Sequence, residues 1–229
     1  MPAQPLSSFS KSKAKDLTFA PGSLFKRPEL TPYILRVIEN WSFTEWGILM
    51  LGCECLQGDR VAVTAMLQAI ESQLARHTAI LAAVETLLDK EHFIFFCAAF
   101  RSIGPSRNTR NKFVHHAWGT SDDLPDALLL QDVKIANLEF SKHVKLARHS
   151  LASGGDPVIR SIDRSEIFVW REPDFEKEVE DAEQARSIIS DLSGMVWAFL
   201  NGRPTDAIRT RLSKNPLVEQ RIRKAKTQT

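Results

Sequence analysis

Between Asp59 and Lys90 the apolar side chains keep one step: Val63, Leu67, Ile70, Leu74, His77, Leu81, Val84 and Leu88 follow one another at intervals of four and three. That spacing lays them on a single stripe of a 3.6-residue helix, and a strand has no use for it because its side chains alternate every two residues. The stripe predicts a long amphipathic helix over 59–90, packed along its length on neighbours. Such a helix cannot bury its stripe alone, so the chain needs other helices of comparable length.

The rest of the sequence supplies them. Thr31-Pro32 is an N-cap followed by a proline at the first helical position, and opens an apolar-rich helix to about Cys55, punctuated by Gln57-Gly58-Asp59. A further helix covers about 91–103 and stops at Gly104-Pro105. Pro105 opens another through Arg107, Arg110, Val114 and His116, ending before Gly119. Leu128-Leu129-Leu130 and Ile167-Phe168-Val169-Trp170 are short β-competent runs. Between them Phe140, Val144, Ala147 and Leu151 mark a helix that Ser153-Gly154-Gly155 would end. Pro173 starts the last long helix, acidic in its first turns, with Gly202 beyond its end. The predicted fold is mainly α: an antiparallel helical bundle over 31–202, with a small two-stranded β insertion at about 121–172 and flexible basic termini.

Charge divides the chain in the same way. Residues 1–30 carry five basic and two acidic side chains, residues 203–229 carry eight and two, and the body between them is net −7. Basic arms on an acidic body add affinity for a polyanion such as RNA, or serve only as solvated ends. The longest apolar runs, near Trp46–Cys53 and Phe93–Phe100, fall far short of the ~20 residues of a membrane span, and no apolar stretch follows the first lysines. A cytoplasmic protein without a membrane anchor is expected. Cys53, Cys55 and Cys97 suit that compartment as buried thiols, and no Glu-x-x-His spacing suggests a metal pair.

The chemistry is concentrated in one string, Arg107-Asn108-Thr109-Arg110-Asn111-Lys112-Phe113-Val114-His115-His116-Ala117-Trp118. Arginine is always charged and forked for phosphate, and imidazole exchanges protons near neutral pH. Those two groups suffice to cut RNA without a metal or other cofactor. A neutral histidine takes the proton of a ribose 2′-hydroxyl, the oxygen attacks the adjacent phosphorus, and arginine offsets the charge that builds on the phosphoryl oxygens. Asn111 and His115 lie one turn apart, so the amide can orient the imidazole. Arg110 stands about 140° from His115 around an ideal helix.

Arg110, Asn111 and His115, with four residues between the arginine and the first histidine, resemble the motif of the HEPN superfamily, all-helical domains that include many metal-independent ribonucleases. His116 matches the looser spacing of that motif, which leaves two candidates for the base. The resemblance covers about 31–202. It implies Arg110, Asn111, His115 and His116 as catalytic residues, with Arg107 and Lys112 beside them on RNA. It also implies a homodimer whose facing motif helices form one composite cleft, a role in bacterial defence or as a toxin, and an antitoxin or regulatory protein as a further partner. Many HEPN-like domains are inactive scaffolds, so a silent module that binds protein or RNA is the alternative. A helical RNA-binding protein that relies on its basic tails is a third reading. His77 reads as a core histidine, His92 as an exposed residue near a helix start, and Lys142, His143, Lys145, Arg148 and His149 as a basic helix face.

Overall fold

The computed structural model describes residues 3–9, 16–152 and 163–226. In chain order the elements are β1 (Gln4–Pro5), β2 (Leu17–Phe19), α1 (Thr31–Leu56), α2 (Arg60–Ala69), α3 (Gln73–Leu87), α4 (Lys90–Ser102), α5 (Gly104–His115), β3 (Ala117–Ser121), β4 (Ala127–Gln131), α6 (Val133–Ala152), β5 (Ile167–Arg171), α7 (Glu172–Leu200), α8 (Asp206–Ser213) and α9 (Pro216–Lys226). The chain is mainly helical, as the sequence predicts. It divides into two compact units, residues 1–36 with 109–179 and residues 37–108 with 180–229. The boundaries between these units fall inside α1, α5 and α7.

The first unit is built on a five-stranded antiparallel sheet in the order β1-β5-β4-β3-β2. The expected pair, β4 and β5, is its centre, with Leu128 opposite Trp170 and Leu130 opposite Phe168. Three more strands enlarge it. Ala117–Ser121, read as a helix end and a turn, is β3, and two strands come from the N-terminal 30 residues, which the sequence presents as a flexible arm. Their pairing has a physical cause. Leu6, Leu129, Ile167 and Val169 are fully buried on one face of the sheet, with Phe9, Leu17 and Phe19 packed against them, so the arm covers apolar surface that would otherwise meet water. On the other face Trp118 and Trp170 gather with Phe113 and Phe175. The Phe113 ring meets Trp170 edge-on at 4.9 Å and Phe175 at 5.7 Å.

Gly119 marks a close approach between β2 and β3. A Cβ there would lie 2.7 Å from the Phe19 ring and 2.8 Å from the Thr18 carbonyl oxygen, and the backbone atom cannot swing aside. Gly119→Ala should lower stability by about 1–3 kcal/mol, the usual cost of overpacking. Gly194→Ala, whose Cβ would make only ordinary contact with Ile208, is the control and should be neutral or stabilising. Urea denaturation of the two variants checks the pair.

The second unit is helical. Trp41, Ile48 and Leu51 of α1 form one core with Leu67, Ile80, Val84, Phe96, Leu192 and Met195. The long helix expected over 59–90 is broken into pieces. Asp59, Ser72 and Asp89 are N-caps whose side chains accept from the amides of Ala62, Ala75 and His92, and Ile70 and Leu88 are extended. An apolar period continues across a cap because it records only which face is buried, so periodicity alone does not reveal the breaks. The stripe also shifts: His77, Ile80 and Val84 are the buried positions of α3, and Leu74 is exposed. The C-terminal basic segment is not a free tail. It forms α8 and α9, the latter packed on α4, with Leu212 and Val218 in the core. In the first unit α6 buries no side chain fully, and Phe140, the start of its expected stripe, is exposed; Ser153-Gly154-Gly155 lies outside the described residues. No described helix is long and apolar enough to cross a membrane.

Candidate functional site

The string from Arg110 to Trp118 occupies the last two turns of α5 and the start of β3. Phe113 is buried in the aromatic cluster of the sheet and anchors the helix end. Trp118 secures it: the indole N–H donates to the Phe113 carbonyl at 3.0 Å, satisfying one of the carbonyls a helix end leaves open. With residues 113 and 118 held inward, Lys112 and His115 are left exposed. The Lys112 ammonium lies 5.8 Å from the centre of the Phe168 ring.

Arg110 is half-buried. Its Nη1 donates to Asn111 Oδ1 at 3.1 Å, its Nε is shielded from solvent without an acceptor, and it has no carboxylate partner among the described residues. The Asn111 amide oxygen therefore serves the guanidinium, and no hydrogen bond joins Asn111 to His115. The two histidines separate clearly. His115 closes α5 with an exposed ring. His116 lies past the helix, half-buried, with Nε2 3.6 Å from Asp132 Oδ2. Burial pulls the pKa of His116 below the ordinary imidazole value, with Lys112 and His115 adding to that and Asp132 opposing it. Asp132 escapes a reading centred on arginine and histidine. Its signal is a different one, an acidic residue directly before an apolar helix start, and its Oδ1 does accept from the Lys134 amide at 2.7 Å.

Arg107 has another setting, within the second unit. It lines a cavity of 290 Å³ together with His77, Trp41, Phe100 and Arg101. His77 is indeed buried. Its ring meets Phe100 edge-on at 5.3 Å, and burial, helped by the charges of Arg107 and Arg76, pushes its pKa down to about 4. An unfolded chain binds a proton on His77 near pH 6.5 and the folded one resists it to about 4, so stability declines as pH falls through that window. Urea midpoints at pH 7 and pH 5 should fall further apart in the wild type than in His77→Phe.

His92 is engaged rather than free. Its Nδ1 lies 2.8 Å from Asp89 Oδ2 and its Nε2 2.9 Å from Thr205 Oγ1. The order acid, imidazole, hydroxyl is that of an activated nucleophile, but Thr205 is 6% exposed, and the chain of bonds ties the caps of α4 and α8 together. Comparison with known protein families, with characterised proteins and with solved structures found no match.

Proposed function

We propose that the protein is a HEPN-like endoribonuclease that cuts RNA by attack of the 2′-hydroxyl, without a metal, at a cleft completed by a second copy of the chain. The observation that carries the reading is the state of Arg110. A half-buried guanidinium with one N–H unanswered and no carboxylate beside it is uncommitted, and it sits on the same two turns as an exposed imidazole. An arginine kept only for structure is ordinarily neutralised by an acid or fully bonded.

In this reading His115 takes the 2′-hydroxyl proton, the oxygen forms a bond to the adjacent phosphorus, and Arg110 holds the phosphoryl oxygens as charge accumulates. The bond to the 5′-oxygen of the next nucleotide breaks, and the protonated His115 of the second copy supplies the proton that oxygen needs. The products are a 2′,3′-cyclic phosphate and a 5′-hydroxyl end. Lys112, exposed beside Arg110 in sequence, contacts a flanking phosphate. Association as a dimer is supported by Phe43 and Trp46, both more than half exposed, which help line a groove of 530 Å³ in the second unit. Defence or toxin action, with a regulatory partner, fits such an activity and follows from the family resemblance.

Light scattering at micromolar concentration should give twice 25.8 kDa. Cleavage should persist in EDTA, leave DNA intact and end in a cyclic phosphate. Cutting of RNA that carries 2′-O-methyl groups at the scissile positions would contradict the mechanism, because the attacking oxygen would be blocked. A folded dimer inert on every RNA tested would point to the scaffold reading.

A further inference from the structure

We infer that the cavity lined by Trp41, His77, Phe100, Arg101 and Arg107 is a binding site for a small organic anion, its apolar body against Trp41 and Phe100 and its carboxylate or phosphate head on the two arginines. The inference stands apart from RNA cleavage and concerns the second unit alone. Three observations support it. The volume, 290 Å³, is at the lower end of small-molecule sites and suits a bicyclic ring with one head group.

Charge is the second. Arg101 and Arg107 line the same cavity, and neither has a carboxylate partner among the described residues. Arg107 is half-buried and Arg101 exposed, and two guanidiniums at one apolar wall repel one another and favour an anion between them. The nearest acid to His77 is already engaged: Glu45 accepts a hydrogen bond from the Gln73 amide and lies 3.9 Å from Arg76 Nη1. The third observation is His77 itself. It is 7% exposed, lines the cavity, and its Nε2 is buried without a hydrogen-bond partner, 3.8 Å from Glu45 Oε1. A buried polar atom left unpaired costs stability, and a turn of the ring toward the cavity would bring it onto an oxygen of the head group. Burial keeps this imidazole neutral at pH 7, so selectivity for the anion falls to the arginines.

Gly104 gives a way to close the site. It lines the cavity, and a Cβ built on it meets nothing within 4 Å, so a side chain can be added there without a clash at its first atom. The test is isothermal titration calorimetry of the full chain with 2-naphthoate, 2-naphthyl phosphate and neutral 2-naphthol. At least one anion should bind saturably and about tenfold or more tightly than 2-naphthol, and the tighter of the two identifies the head group. Arg101→Gln and Arg107→Gln should each weaken binding about tenfold, the equivalent of one charge-assisted contact. Gly104→Leu should abolish it, with the helical circular dichroism of the wild type in all three. No saturable binding of either anion at millimolar concentration would overturn the site. So would equal affinity for 2-naphthol, or unchanged binding in the folded Arg101→Gln and Gly104→Leu variants.

Discussion

Arg110→Ala is expected to slow RNA cleavage by about 10²–10³-fold in single-turnover assays, the range for removing one donor aimed at developing charge. The fold should survive. No carboxylate among the described residues depends on Arg110, so truncation strands no buried acid and loses one hydrogen bond, to Asn111. Arg110→Lys separates charge from shape. It restores the positive charge but not the planar fork, and should recover only part of the rate. RNA affinity measured on a 2′-O-methyl substrate should change less than the rate, because the contact tightens as the phosphoryl oxygens gain charge. Unchanged cleavage by a folded Arg110→Ala dimer would show that the guanidinium is structural.

Helices were legible wherever a cap and an apolar period coincided. Thr31-Pro32 at the start of α1 and the acidic first turns of α7 mark elements the structure contains. The break at 70–72 shows the limit: Ser72 is an adequate N-cap, but an unbroken four-three pattern on both sides hides it, because two helices that bury the same face can keep one period. The N-terminal strands were illegible for another reason. Gln4–Pro5 and Leu17–Phe19 are too short to carry an alternation, and only the apolar sheet face they cover explains why they pair. Of the candidate site, the residue types and the place of Arg110, Asn111 and His115 on one helix were legible, whereas His116, read on the same helix, lies just past its end. The bonds were not, since whether Asn111 answers Arg110 or His115 depends on side-chain torsions that spacing leaves open.

Of the two adjacent histidines, His115 is expected to be the base. Proton abstraction requires a ring that reaches the 2′-hydroxyl, and His115 is exposed at the end of α5, whereas His116 is half-buried with Nε2 near Asp132. A positioned base contributes 10²–10⁴-fold, so His115→Ala should cost about that much in rate while the dimer and its RNA affinity persist. His116→Ala should cost clearly less in rate. Its effect belongs to folding, because burial lowers its pKa and a proton forced onto it opposes the folded state. If His116→Ala alone were inactive while folded and dimeric, the base would be the histidine paired with Asp132, and Asp132→Asn should then be nearly as damaging, since a lost carboxylate would no longer stabilise the imidazolium formed during attack.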